Sequence, residues 1–246
     1  MKAGLQLYNF RKALGADFKG AMREIAKLGF DGVEFAVNYG DMEPDEIAAF
    51  LKDLKLECAG TMFKADDIRD AGNKVYDYAK ALNSPAVTHS LSTDFAAEYE
   101  TVRANLEAAG KAAWQNGFVF AYHNHWREFE LKDGVPAMDV ILDNTDPVNV
   151  FMEADVCWLT RGGMDPAAWI RKYGSRIRQI HMKDIKVADD PATTAILGTG
   201  IVDLEGAAKA AHEIPDCRWL IYEQDNSDDP FKSAAESLKY LRKLIG

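Results

Sequence analysis

FAYHNHWREF, at residues 120 to 129, is an apolar run that ends in two histidines separated by one asparagine, with a glutamate three residues further on. Side chains of an extended strand alternate between its two faces, so Phe120 and Tyr122 share one face and Ala121, His123 and His125 share the other. One face is bulky and aromatic, whereas the other carries a small residue and both imidazoles. The pattern predicts a β-strand whose carboxyl end presents two histidines to one side.

Three later apolar runs also end in side chains that can bind metals. They are EADVCW at 153–158, QIHMKD at 179–184 and LIYEQD at 220–225. Each run has the apolar character and the length of a buried strand. Together with the first stretch they supply four candidate metal ligands, which are His123, Asp155, His181 and Glu223.

Predicted strands and amphipathic helices alternate along the whole chain. The predicted strands cover 4–9, 31–37, 56–63, 85–91, 118–125, 148–155, 177–184 and 217–225. Helical spacing of apolar residues, with a cap or proline at the start, predicts helices over 17–28, 44–54, 66–82, 94–116, 136–142, 165–173, 203–213 and 229–244. Such alternation is typical of parallel strands joined by helices. Because no Gly-x-Gly-x-x-Gly turn follows a strand, we expect a closed (β/α)8 TIM barrel rather than an open doubly wound sheet, as one domain over 1–246.

The composition excludes several classes of protein. The chain has 246 residues, of which 48% are hydrophobic, and its 39 acidic and 29 basic residues give a formal charge of -10. The basic residues are scattered, which argues against a nucleic-acid partner. No window approaches the ~20 apolar residues of a membrane span, and the start MKAGLQLYNF is too polar for a signal peptide. Three cysteines without metal-type spacing indicate a reducing compartment, so we expect a cytoplasmic protein of undetermined oligomeric state.

The barrel prediction brings the four candidate ligands together. Active sites of such barrels lie at the carboxyl ends of the strands, and the fifth to eighth strands are neighbours ~4.8 Å apart. Taken singly, a strand histidine is more often a core residue and a strand-end carboxylate often caps a helix. Four such groups at one depth need a cation to balance them. Two imidazoles and two carboxylates suit one divalent Mn, Co, Fe or Zn ion better than Mg.

Other polar residues at the same end have two interpretations each. His125 either replaces His123 as a ligand or contacts substrate. Glu153 either holds a ligand from behind or pairs with a buried cation such as Lys183. Lys183 either polarises or binds a substrate oxygen as a catalytic group, or reaches solvent at the rim. Glu34 points inward, where it serves the barrel floor or contacts substrate.

Three further features complete the list of candidates. His89 ends the fourth strand and either lines the pocket or belongs to the core. Trp126 and Trp158 follow two of the ligand strands and either wall a sugar-sized pocket or pack within loops. The glycine-containing stretch LGTGIVD, 197–203, either cradles a phosphate with its backbone amides or forms a plain turn before a helix.

These motifs, together with GVEF at 32–35 and RGGMDP at 161–166, resemble the xylose isomerase-like barrels of the sugar phosphate isomerases and epimerases. That family also contains inosose dehydratases, dehydroshikimate dehydratases and tagatose-type epimerases. The resemblance covers nearly the whole chain and implies one divalent metal held by Glu, Asp, His and Glu. Asp155, His181 and Glu223 match the last three ligands, and His123 stands where the epimerases have a glutamate.

The substitution at the first ligand bears on the reaction. The resemblance implies paired acid and base glutamates on opposite faces of the substrate, and only Glu223 of that pair is present. Glu128 either supplies a second catalytic carboxylate or forms a surface salt bridge. We therefore expect a metal-dependent isomerase or epimerase that converts a keto-sugar, sugar phosphate or cyclitol through an enediolate, with an inosose-type dehydratase as the alternative.

Two other classes are less consistent with the sequence. A DNA-repair endonuclease on the same barrel would need a trinuclear zinc cluster, for which five histidines are too few, and a basic groove. A non-catalytic sugar-binding barrel would need no acid or base at the metal. The expected partner is thus a small sugar or cyclitol, with neither nucleic acid nor membrane.

Overall fold

A computed structural model describes residues 1–246, and its centre is a closed barrel of eight parallel strands. The strands follow one another around the barrel in chain order, and the last pairs with the first. The predicted (β/α)8 TIM barrel is therefore confirmed. The strands are β1 Lys2–Gln6, β2 Gly32–Ala36, β3 Glu57–Met62, β4 Val87–His89, β5 Phe120–His123, β6 Phe151–Asp155, β7 Ile177–Met182 and β8 Trp219–Tyr222.

Helices surround the barrel and connect its strands. They are α1 Arg11–Ala16, α2 Phe18–Ala26, α3 Pro44–Asp53, α4 Ala65–Arg69, α5 Val75–Ala81, α6 Tyr99–Gln115, α7 Ala137–Asp143, α8 Val156–Arg161, α9 Pro166–Lys172, α10 Leu204–His212 and α11 Pro230–Ile245. Two small antiparallel hairpins extend loops at the carboxyl ends of the strands, and they pair Leu131–Lys132 with Val135–Pro136 and Asp184–Ile185 with Thr194–Ala195. No helix has the length and apolar character needed to cross a membrane.

Aspartate caps explain why four of the helices begin where the sequence predicts. The side chains of Asp17, Asp165, Asp203 and Asp229 each accept a hydrogen bond from the backbone N–H three residues further on. Such a cap satisfies an amide that has no partner within the helix, which is typically worth about 1 kcal/mol. The caps fix the points at which the chain leaves the loops over the barrel mouth.

Several details of the local structure differ from the sequence predictions. The helix predicted over 66–82 is divided into α4 and α5, because the side chains of Asp70 and Asn73 accept hydrogen bonds from Gly72 N and Val75 N and so form turns. The strand β1 ends at Gln6, although the prediction extended it to residue 9. The Gln6 side chain accepts a hydrogen bond from Tyr8 N, and a short 3-10 turn begins there. The helix α8 was not predicted, since its apolar sequence VCWLTR has no helical periodicity.

The barrel interior changes from apolar to polar along the strands. Ala59, Trp219 and Ile221 form a small apolar cluster inside it, whereas 64 buried residues form the main core. Gly60 follows Ala59, and a Cβ there would lie 2.2 Å from Glu34 Oε1. Polar side chains form a barrel floor between the apolar cluster and the barrel mouth. A glycine is needed at position 60 because any side chain there would collide with Glu34 in this floor. All three cysteines are buried and unpaired.

Candidate functional site

Four side chains from the ends of β5 to β8 meet inside the barrel mouth. They are His123, Asp155, His181 and Glu223, and one ligand atom of each lies within 4.8 Å of the others. All four residues are buried, and the ring centroids of His123 and His181 are 4.6 Å apart. The structure thus brings together the four residues that the sequence predicted as metal ligands.

Strand register explains the convergence. β6 pairs with β7 so that Asp155 lies opposite His181, and β5 pairs with β6 so that His123 lies opposite Glu153. At the end of β8, Glu223 N donates a hydrogen bond to Met182 O, which sets the Glu223 side chain beside His181. The distance between His181 Nδ1 and Glu223 Oε2 is 2.9 Å.

Asp155 has two separate roles for its two carboxylate oxygens. Oδ1 accepts hydrogen bonds from Cys157 N and Trp158 N at 2.9 and 3.0 Å and so caps α8. Oδ2 is buried without a hydrogen-bond partner and lies 3.2 Å from Lys183 Nζ. The helix cap that the sequence left open as an alternative is present, and it leaves one oxygen directed at the cluster. A buried carboxylate oxygen of this kind favours a nearby cation.

A network of polar side chains holds His181 from below. His181 Nε2 lies 2.6 Å from Glu34 Oε2 and 3.1 Å from Glu153 Oε1. Gln179 donates to both of these carboxylates, and Gln6 donates to Glu34 at 2.8 Å. Glu34 is fully buried, and these contacts place it in the barrel floor rather than in the cavity wall.

The floor carboxylates control the charge of His181. Burial alone would lower the pKa of His181, but the carboxylates of Glu153 and Glu34 raise it well above its usual range. Burial, together with the neighbouring Glu153, raises the pKa of Glu34 well above that of an exposed glutamate. The contacts of Nε2 with Glu34 and Glu153 also orient the His181 ring, so that Nδ1 faces Glu223 and the cluster.

Lys183 lies at the centre of a buried group of charges. Its Nζ is 2.8 Å from Glu223, 3.2 Å from Asp155 and 3.1 Å from Asp225, and it lies 4.6 Å from the centroid of the Trp158 ring. Burial alone would lower the pKa of Lys183, but these carboxylates raise it well above its usual range. The alternative of a lysine that reaches solvent at the rim is wrong, because the side chain is 2% exposed.

A cavity of about 850 Å³ opens above the cluster. Of the predicted site residues, His89, His123, His125, Lys183 and Glu223 line it. His89 packs edge-on against Tyr122 at a centroid distance of 5.7 Å, and burial lowers the pKa of His89 to about 4. The ring is therefore neutral at pH 7.

His125 and Glu128 form a pair beside the cavity. Burial lowers the pKa of His125 to about 3, so this imidazole is also neutral at pH 7. Glu128 is fully buried behind it, where it accepts hydrogen bonds from His125 N and Tyr122 Oη, both at 2.8 Å. Burial raises the pKa of Glu128 to about 7. Glu128 does not line the cavity, and its burial rules out the surface salt bridge.

The two tryptophans pack against each other outside the cavity wall, Trp126 from a loop and Trp158 from α8. Trp126 and Trp158 lie 5.3 Å apart between ring centroids, and neither lines the cavity. The Arg161 guanidinium covers Trp126 at 3.7 Å, and Trp158 covers Lys183. Trp158 therefore acts on the site through Lys183, by shielding its ammonium group from solvent.

The glycine-containing stretch 197–203 wraps around a carboxylate. Asp184 Oδ2 accepts hydrogen bonds from Gly198 N and Gly200 N at 3.0 and 2.8 Å, and Oδ1 accepts one from Val202 N. A Cβ on Gly200 would lie 2.2 Å from Asp184 Oδ1. The phosphate cradle is therefore excluded, because the backbone amides that would hold a phosphate already bind Asp184.

Three residues that support the cluster were not predicted from the sequence. Gln179 lies two positions before His181, and Asp225 lies two positions after Glu223. Side chains two residues apart share a face of a strand, and this spacing would have identified both. Gln6 occupies the same layer from β1, but nothing in its sequence context distinguishes it from an ordinary strand residue.

Comparisons with known proteins agree with the fold. A model of the xylose isomerase-like TIM barrel family matches residues 22–244. The inosose dehydratase of Mesomycoplasma hyopneumoniae strain 7448 is 26% identical over an alignment 284 positions long. The alignment covers 94% of this chain and 91% of that relative.

Solved structures are similar over the same extent. The structure of a sugar phosphate isomerase/epimerase from Parabacteroides distasonis superposes with a TM-score of 0.81 at 22% sequence identity. The superposition covers 98% of this chain and 93% of the other chain. The structure of a probable 3-DHS dehydratase from Bacillus anthracis superposes with a TM-score of 0.79 at 16% sequence identity, over 98% of this chain and 99% of the other chain. At these identities the structural likeness concerns the fold. Since the family match spans most of the sequence, the chain belongs to the xylose isomerase-like TIM barrel family.

Proposed function

We propose that this protein is a divalent-metal-dependent isomerase or epimerase that removes the proton next to the carbonyl of a keto-sugar, sugar phosphate or cyclitol. The observation that carries the proposal is the position of Glu223. Its carboxylate lines the cavity and is at the same time a member of the four-residue cluster, 2.9 Å from His181 and 2.8 Å from Lys183.

The residues present fit a divalent cation. Two imidazoles and two carboxylates supply a mixed nitrogen and oxygen donor set, which suits Mn, Co, Fe or Zn. Asp155 Oδ2 accepts no hydrogen bond, and this buried anionic oxygen is directed at the same point, 3.2 Å from Lys183 Nζ. Bound there, the cation would polarise the substrate carbonyl and stabilise the negative charge that develops on the adjacent oxygens of an enediolate.

Glu223 is suited to accept the proton. Burial alone would raise its pKa, but Lys183 and His181 hold the pKa of Glu223 well below its usual range, so the carboxylate is ionised. Lys183 is fixed by Asp155 and Asp225 beside it, and its ammonium group can donate a hydrogen bond to a substrate oxygen. Proton removal from a carbon acid needs such a fixed base and donor within one desolvated site.

His125 is the group in the best position to exchange a second proton. Its ring lines the cavity, and the centroids of the His125 and His123 rings lie 5.2 Å apart. The only other carboxylate in the lining is Asp225, which is paired with Lys183. A two-glutamate epimerisation therefore lacks its second glutamate, whereas isomerisation between adjacent carbons needs a single base.

Dehydration is the second candidate, favoured by the curated relatives named inosose dehydratase. It shares the first step with isomerisation, because the proton next to a carbonyl is removed in both. The reactions diverge afterwards, when the proton returns to carbon or a hydroxyl leaves from the β-carbon. In dehydration, His125 or Lys183 would stand beside the departing hydroxyl.

Solvent deuterium exchange tests the proposal. The metal-loaded protein is incubated in D2O with a panel of ketoses and inososes, and the products are followed by NMR. Deuterium at carbon with every hydroxyl retained supports isomerisation or epimerisation, and loss of a hydroxyl supports dehydration. Binding of a panel member without exchange into any of them would instead indicate a sugar-binding barrel.

Variants locate the chemistry within the cavity. Glu223→Gln should abolish exchange, and His125→Ala should lower its rate by about 10²-fold or more if the imidazole exchanges a proton. Glu205→Gln on the exposed face of α10 and His212→Ala at its end are the matched controls and should leave the rate unchanged. Exchange in Glu223→Gln at the wild-type rate would contradict the assignment of the base.

A further inference from the structure

Two cations that do not belong to the cluster, Arg11 and Lys64, line the cavity. Arg11 follows β1 and Lys64 follows β3, whereas the cluster lies at the ends of β5 to β8. Only β2 separates the two strands, so their ends lie roughly 10 Å apart and long side chains can approach one ligand from both. The cavity lining therefore contains two basic side chains in addition to Lys183 and the cluster residues.

Neither cation is neutralised by the protein. The salt bridges of the structure include neither Arg11 nor Lys64. Lys183, the third cation of the lining, is by contrast surrounded by three carboxylates. Arg11 is half-buried and Lys64 is exposed, and neither side chain has a carboxylate partner. They leave positive potential available for a ligand.

Arg11 is held in place before any ligand arrives. Its Nη1 donates a hydrogen bond to Tyr8 O at 3.1 Å, and its guanidinium lies 4.3 Å from the centroid of the Tyr8 ring. The half-buried guanidinium keeps its other N–H groups free of protein acceptors, and a guanidinium presents five donors in a planar fork that matches an oxyanion. Fixing the side chain in advance reduces the entropy lost on binding.

The remaining features of the cavity agree with an anionic ligand. Its volume of about 850 Å³ is in the upper part of the range of about 300–1,000 Å³ for small-molecule sites, which leaves room for a substituent beyond the reacting carbons. The other feature that could have held an anion, the glycine-containing stretch 197–203, already binds Asp184. Arg11 and Lys64 are the cations of the lining that remain for an anionic substituent, because Lys183 is already paired with three carboxylates.

We propose that the substrate is an anionic sugar, whose phosphate ester or carboxylate is bound by Arg11 and Lys64 while its carbonyl end lies at Glu223. This assignment rests on the proposed function for the reacting end only. Charge-assisted hydrogen bonds of this kind are worth about 1.5 to 3 kcal/mol, which corresponds to roughly tenfold or more in affinity.

Calorimetric titration of protein treated with EDTA tests the subsite, because an anion cannot then bind through a metal. The probes are D-fructose, D-fructose 6-phosphate, D-fructuronate and inorganic phosphate. We expect at least one anionic ketose to bind about tenfold or more tighter than fructose, and the preferred one distinguishes a phosphate ester from a carboxylate. Arg11→Gln/Lys64→Gln should remove the preference and leave fructose binding within about twofold.

Lys209→Gln on the exposed face of α10 is the control for a lost charge and should keep the preference. Equal binding of charged and uncharged ketoses, a preference that survives in the double variant, or no binding of any anionic probe would each overturn the assignment. Deuterium exchange is read separately. Exchange into uncharged sugars without an anion preference would refute this inference alone, and an anion preference without exchange would refute the proposed function alone.

Discussion

His123 Nδ1 lies 3.0 Å from Glu153 Oε1, and both side chains are buried. The contact assigns one ring nitrogen of His123 to a carboxylate from the neighbouring strand and leaves Nε2 to face the cluster. Glu153 also contacts His181 Nε2 at 3.1 Å, so one carboxylate orients both histidines of the candidate metal site. A carboxylate behind a histidine fixes its tautomer and orientation and increases its basicity as a ligand.

Glu153→Gln should therefore weaken metal binding without removing a ligand. We expect the affinity for Mn²⁺ or Zn²⁺ to fall by about 10- to 100-fold, as is typical when a residue that supports a ligand is changed. Isothermal titration calorimetry gives the affinity, and circular dichroism verifies the fold. Glu205→Gln serves as the matched control. Wild-type affinity in Glu153→Gln would show that Glu153 does not orient the ligands.

Lys183→Met should destabilise the metal-free protein strongly. The ammonium group forms ion pairs with Asp155, Glu223 and Asp225, and loss of one partner of a buried ion pair typically costs about 3–5 kcal/mol. Added metal should recover more stability in this variant than in the wild type, because the cation replaces part of the lost positive charge. Chemical denaturation with and without Mn²⁺ measures both effects.

The exposed Lys186 lies three residues further on and provides the control Lys186→Met, which should change the free energy of unfolding by less than about 0.5 kcal/mol. If Lys183→Met is no less stable than Lys186→Met in the absence of metal, the buried group of charges is not formed as described.

Glu128 should make stability depend on pH. Burial raises its pKa in the folded protein to about 7 from a usual value of 4.5, so between these pH values the folded state holds a proton that the unfolded state has lost. The contribution of Glu128 to stability therefore decreases as the pH rises from 4.5 to 7, by about 3 kcal/mol in total.

Glu128→Gln has no such proton and should gain stability relative to the wild type across this range. Unfolding curves in urea at several pH values measure the difference in the free energy of unfolding between the two proteins. The contributions of the other titrating groups are the same in both and cancel. Parallel pH profiles for the two proteins would mean that the Glu128 pKa is not raised.

Gly60→Ala should disturb the barrel floor. The added Cβ would lie 2.2 Å from Glu34 Oε1 and 2.7 Å from Gln179 Nε2, and overpacking of this kind typically costs about 1–3 kcal/mol. Gly15→Ala in α1 is the matched control, since its Cβ would meet nothing within 4 Å and should stabilise the helix by up to about 1 kcal/mol. Thermal unfolding measures both. A neutral Gly60→Ala would contradict the close approach of Glu34.

Much of the fold was predictable from the sequence because its signals are local. Alternation of apolar residues identified the strands, and Asp17, Asp165, Asp203 and Asp229 marked the helix starts through hydrogen bonds to amides three residues away. The four cluster residues were predictable for a related reason, since a barrel of parallel strands brings all carboxyl ends to one mouth.

What could not be predicted depends on contacts between distant segments. The burial of Lys183 depends on Asp225, from the loop after β8, and on Trp158, from α8. The role of the glycines in 197–203 depends on Asp184, whose carboxylate occupies their amides. Residue types at these positions fit several structures equally well, and only the folded chain selects among them.

Metal analysis of the purified protein tests the central claim most directly. After loading with Mn²⁺ or Zn²⁺ and removal of excess ion, elemental analysis should give one ion per chain for the wild type and almost none for Asp155→Asn. Asparagine retains an oxygen for the cap of α8, so this variant removes the charge while preserving the fold. Asp165→Asn, at the cap of α9, is the matched control and should retain the ion. A wild-type protein without a stoichiometric ion, or an Asp155→Asn variant that keeps it, would contradict a metal held jointly by His123, Asp155, His181 and Glu223.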